Sequence, residues 1–100
     1  MVQRRGISQA PCEYATGEWP AAPLSDHAPA AAHYARHIAV KLREALTATS
    51  VSQLARDADC NRSTVQGLIA GRFWPDLVTV AKLEVALGRS LWPPQPPTAS

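Results

Sequence analysis

The chain has little of what most functional classes require. Its 100 residues include only two cysteines, Cys12 and Cys60, in segments of unlike character. A disulfide framework is therefore not expected, and both are read as reduced thiols, with Cys60 a small apolar side chain. His27, His33 and His37 are the only histidines. His33 and His37 stand one helical turn apart, but no cysteine or carboxylate is spaced to complete a ligand set, so no metal site is expected. There is no glycine-rich phosphate loop, no carboxylate pair in a plausible pocket and no nucleophile beside a base, which argues against an enzyme, a cofactor and a small-molecule substrate. No signal-type or membrane-length apolar run occurs, pointing to a cytoplasmic protein without membrane contact. Sustained polar–apolar alternation is also missing, and that leaves an all-α reading.

Charge is scarce as well, with a net formal value of +2. It is unevenly placed. Residues 1–33 set Arg4 and Arg5 against Glu13, Glu18 and Asp26, a sum of −1, whereas residues 34–92 hold eight basic against five acidic side chains, a sum of +3. The positive charge lies where the helical patterning lies.

That patterning divides the chain in three. Residues 1–33 carry Pro11, Pro20, Pro23 and Pro29 without an apolar period, and are expected to be a flexible Ala/Pro-rich arm. Residues 93–100 open with Pro93-Pro94-Gln95-Pro96-Pro97, a solvated proline-rich tail that halts any preceding helix. Between them, residues 34–92 read as one domain of four helices. The first, from about Ala30 to Thr47, carries Tyr34, Ile38, Leu42, Ala45 and Leu46 on one stripe. The second opens at Ser50, which forms a capping box with Gln53, and runs through Leu54, Ala55 and Ala58. Asp59-Cys60-Asn61 breaks the pattern, and Asn61 caps a third helix that points Val65, Leu68 and Ile69 inward until Gly71 ends it. Asp76 caps a fourth, with Leu77, Val80, Ala81, Leu83, Ala86 and Leu87 at helical spacing up to Gly88. Leu91 and Trp92 are expected to fold back over the core, and Trp74 to pack on it.

Two short helices joined by a tight turn, the second with a polar outer face, are the arrangement that lays one helix in a DNA major groove. The run Leu54-Ala55, Asp59, Cys60 to Val65, Leu68 and Gly71, followed by Pro75-Asp76-Leu77-Val78-Thr79-Val80 and Ala86-Leu87-Gly88, resembles the lambda-repressor-like, Cro-type helix-turn-helix family over nearly 60 residues. The resemblance implies a compact four-to-five-helix domain with disordered tails, and a repressor-like transcriptional regulator of bacterial or phage type that binds double-stranded DNA. Four features depart from the family pattern, one of them the short connection between the first two helices. The turn residue, usually Gly, is Asp59; the second helix opens with Val51 where Gln is common; and the fifth, dimer-forming helix has no counterpart.

On the third helix the outward set is Arg62, Ser63, Gln66, Gly67 and Ala70. Arg62 suits guanine O6 and N7, Gln66 suits adenine N6 and N7, and Gly67 allows close approach, so Arg62, Ser63, Gln66 and Gly67 are the expected base contacts. Phosphate contacts are expected from Ser50, Ser52, Gln53, Arg56, Thr64 and Arg72. The partners this leaves room for are duplex DNA and a homodimer or other protein. The rival reading, from another class, is a protein-interaction module of the same fold, an antitoxin or adaptor, with DNA contact secondary.

Overall fold

The computed structural model describes residues 9–95. Four α-helices make up its body: α1 Ala30–Ala45, α2 Val51–Asp57, α3 Arg62–Ala70 and α4 Leu77–Leu87. No strand occurs among the described residues, and none of their helices is long and apolar enough to cross a membrane.

The helices end where their capping chemistry dictates. Ser50 accepts a hydrogen bond from the Gln53 amide at 3.0 Å and Asp76 accepts one from the Thr79 amide at 3.1 Å, so α2 and α4 each have one orphan donor satisfied. The capping box is only half formed. Gln53 turns its side chain to Asp57 and Arg56 instead of back to Ser50. Asn61 occupies the N-cap of α3 in extended conformation but makes no side-chain cap bond. At the other ends Gly71 and Gly88 take φ of 70° and 69°, the left-handed values that a Cβ disfavours. After α3 the Arg72 amide reaches the Gly67 carbonyl and the Gly71 amide the Leu68 carbonyl, the paired bonds of a Schellman ending.

The core gathers Ile38 and Leu42 of α1, Leu54 and Ala55 of α2, Val65 and Leu68 of α3, Val80 and Leu83 of α4, and Leu91 from the chain beyond. Leu91 is fully buried, and Trp92 packs edge-on to Tyr34 with ring centroids 5.6 Å apart, so the chain does fold back over the core. Two expected core positions of α4 fail. Leu77 and Ala81 lie on the solvent side of α4. With apolar residues all round this helix, periodicity alone leaves its rotation open, and the buried pair Val80 and Leu83 sets it.

The largest correction concerns residues 9–29, expected as a flexible arm. They fold onto the helices. A 3-10 turn at Pro11–Tyr14 leads into a looped segment closed by a bridge between Ala15 and Leu24. Trp19 Nε1 donates to the Ile69 carbonyl at 3.0 Å, and the Cys12 amide donates to the Gly71 carbonyl at 2.9 Å. From α1, Arg36 Nε donates to the carbonyls of Pro20 at 2.7 Å and Ala22 at 3.0 Å, and its Nη2 to that of Ala21 at 3.0 Å. Trp74 follows the same segment: Nε1 donates to the Gln9 carbonyl at 3.1 Å and its ring stacks obliquely on Tyr14, away from the core where it was expected. A few large side chains and one arginine fork anchor the segment, and neither device leaves a period in the sequence. Residues 1–8, with Arg4 and Arg5, and the proline-rich 96–100 lie outside the described residues.

The two left-handed glycines differ in surroundings, which gives a direct test. A Cβ at Gly88 would meet nothing, while one at Gly71 would fall 2.6 Å from Trp19 Cε2 and 2.9 Å from Cys12 Cβ. Gly88→Ala should therefore cost only the backbone penalty of about 1–2 kcal/mol, and Gly71→Ala clearly more, read as the difference in urea midpoints at equal slope. Equal losses would mean that the early segment is not seated on α3.

Candidate nucleic-acid interface

The candidate surface is built by α2, the joint after it, and α3. Ala58 ends α2 in helical conformation, Asp59 then takes φ of 56°, and the Cys60 amide returns to the Ala55 carbonyl at 2.9 Å. Asp59 is the one non-glycine among the described residues with positive φ. The position that the family resemblance marks for glycine thus has the backbone conformation that favours glycine, and aspartate is among the residues that tolerate it. Lys82 from α4 donates to the Asp59 carbonyl at 3.3 Å and so ties the joint to the helix behind. Ala55 is buried in the core cluster, as a small side chain must be where α2 and α3 pack together.

Burial of Val65 and Leu68 fixes the rotation of α3. Arg62, Ser63 and Gln66 are exposed, and among the described residues their side chains make no hydrogen bond or ion pair. Gly67 belongs elsewhere. It is buried, and a Cβ there would collide with the ring of Phe73, which folds back from the loop after α3. Gly67 therefore makes room for Phe73 and does not open the helix to a ligand. Phe73 itself is 41% exposed beside that face. The signal for it was present in the sequence as an aromatic just past the glycine stop, and helix periodicity does not register a loop residue. Ala70, also expected outward, is half-buried and lines a cleft with Trp19 and Ile69.

Among the expected phosphate contacts, Arg56 and Arg72 are exposed, Ser52 and Thr64 are half-buried, and Ser50 is exposed but already accepts the capping bond. Gln53 is engaged on both sides, donating to Asp57 Oδ1 at 2.7 Å and accepting from Arg56 Nη1 at 2.9 Å. It holds Arg56 in place and has little left to offer a ligand. The one ion pair among the described residues, Lys41 with Glu44 at 3.6 Å, lies on α1, so Arg56, Arg62 and Arg72 form none with the described carboxylates.

Three groups near or behind this surface titrate away from their ordinary values. Hydrogen bonds from the Thr79 hydroxyl and amide hold the Asp76 carboxyl below the usual range. Burial pushes the Cys60 thiol up, against the pull of Lys82, and makes it a poor nucleophile. Burial, with help from Lys41, lowers the His37 imidazole. Cys12 and Cys60 are both free thiols.

No protein-family model, curated protein or solved structure matches the chain.

Two outcomes follow from this geometry. Asp59→Gly should leave stability unchanged or raise it, while Asp59→Val should cost about 1–2 kcal/mol, because only the latter forces a branched Cβ into the left-handed region; thermal melts of the two variants decide this, and the reverse order would refute the joint geometry. Asp76 is depressed, so its contribution is present above the ordinary carboxylate value and is lost as pH falls through the lower folded value. The melting-temperature gap between the parent chain and Asp76→Ala should therefore be larger at pH 7 than in acid, narrowing as pH falls below the ordinary carboxylate range.

Proposed function

We propose that the protein binds double-stranded DNA sequence-specifically through a lambda-repressor-like helix-turn-helix formed by α2 and α3, and acts as a transcriptional regulator. The observation that carries this reading is the outer face of α3, where Arg62, Ser63 and Gln66 are exposed and unpaired directly after a left-handed turn.

In the proposed mode α3 enters the major groove and α2 crosses the backbone above it. Arg62 presents a planar fork to guanine, and Gln66, one turn on, presents an amide to adenine, each pairing being worth about 1–3 kcal/mol of discrimination. Ser63 adds a hydroxyl to either base type. Ser50, Ser52, Arg56, Thr64 and Arg72 contact phosphates, with Arg56 held by Gln53 before the DNA arrives. Lys82 of α4 holds the turn between α2 and α3 through the Asp59 carbonyl. No cofactor takes part.

Selection of bound duplexes from a random pool at moderate salt, run beside the Arg62→Ala, Gln66→Ala double variant, tests the assignment. One enriched short motif that the variant loses is expected, and Arg72→Ala should weaken binding to every sequence and flatten the salt slope by about 1. An absence of enrichment with both proteins folded would transfer the chain to the interaction-module reading.

A further inference from the structure

Of the four large apolar side chains exposed among the described residues, Phe73 alone lies off α4. It stands in the loop that leaves α3, with 41% of its surface open, and its ring lies over Gly67. A Cβ on Gly67 would overlap the ring at Cε2, Cζ and Cδ2, so the ring takes the place that a side chain at 67 would fill. Burial of Val65 and Leu68 turns positions 63, 66 and 67 to the opposite side of the helix. Residue 67 is one turn on from Ser63 and next to Gln66. A loop residue thus supplies an aromatic group to the outer face of α3.

We infer that Phe73 is a specificity-determining residue whose ring makes apolar contact with the C5 methyl of one thymine in the major groove. The inference rests on the DNA-binding reading above and names the base feature that this part of the face accepts. Major-groove edges offer hydrogen-bond donors and acceptors, and one apolar group, the thymine methyl. A phenyl ring carries neither donor nor acceptor, so the methyl is the feature it matches.

The height of the ring suits that role. With Cε2 inside the space a Cβ would fill, it lies lower on the helix than a phenylalanine side chain rooted at 67 would, and α3 keeps its close approach for Arg62 and Gln66. The surroundings favour a nucleic acid over a protein partner. Arg72 precedes the ring in the chain, Arg62, Ser63 and Gln66 share its face, and all four are exposed. The centre of a protein interface is apolar and poor in charge, whereas a lone ring among cationic and amide side chains fits a groove flanked by phosphates.

The test uses the full chain and the duplex motif it selects from a random pool. Each thymine of that motif is replaced in turn by deoxyuridine, which removes one methyl and leaves the hydrogen-bonding edges as they were. Affinity should fall about three- to tenfold at one position, the worth of one buried methyl. Phe73→Ala should bind the thymine and deoxyuridine duplexes alike at that position, and Phe73→Leu, which keeps an apolar cover on Gly67, should retain part of the preference. A second readout needs no variant to fold. 5-Iododeoxyuridine sets iodine where that methyl was, and on irradiation should crosslink the parent chain at Phe73, located by peptide mass spectrometry. Selection that enriches no motif would overturn the DNA reading and this inference together. An enriched motif that is indifferent to every methyl, a methyl effect undiminished in Phe73→Ala, or a crosslink at a residue other than Phe73 would overturn the role of Phe73 and leave the DNA reading standing.

Discussion

The carbonyl end of α3 is the point on which the structure turns. Any helix leaves its last carbonyls without intrahelical partners, and burying them unpaired is costly. Here the ending is shared between two devices. The left-handed Gly71 folds the chain back so that Gly71 and Arg72 amides serve Leu68 and Gly67, while Trp19 and Cys12, from a distant part of the chain, serve Ile69 and Gly71. A side chain at Gly71 would break both at once. From that junction follow the exit path of Arg72, the return of Phe73 over Gly67, and the seat for residues 9–29.

The surface proposed to meet DNA is held from both of its ends. At the start of α3 the Asp59 joint is braced by Lys82 of α4; at its finish the early segment is braced by Arg36 of α1. Core contacts from Val65 and Leu68 set the rotation between them. The exposed polar residues of α3 thus stand on a helix that is short yet fixed at three places, the kind of support a site needs for geometry to be kept without a ligand.

Much of this was legible in the sequence, and the boundary of legibility has a physical shape. Ser50, Asp76, Gly71 and Gly88 announce helix ends through local chemistry, and the helices do end there. Ile38, Leu42, Val65, Leu68, Val80 and Leu83 announce the core through period. What stayed hidden was non-local. Trp19 reaches Ile69 and Trp74 reaches Gln9 across separations that no window of residues spans, and Arg36 anchors three carbonyls whose residues are Pro and Ala. Gly67 misled because a missing side chain looks the same whether it admits a ligand or the protein's own Phe73. Leu77 and Ala81 misled because α4 is apolar on every side. The family resemblance organised the expectation for residues 34–92 and said nothing of the segment before them.

The arginine anchor has a consequence for the order in which the molecule assembles. Arg36 binds carbonyls only 14 to 16 residues earlier, but Trp19 must find a helix end 50 residues later. Neither acceptor at Ile69 nor the notch at Gly71 exists until α3 has formed and stopped. Loop-closure entropy therefore delays the early segment, and it docks as the last piece onto an otherwise finished helical body. The segment is thus held to the helical body by one contact made over a short loop, the Arg36 fork, and one made over a long loop, the Trp19 seat on α3.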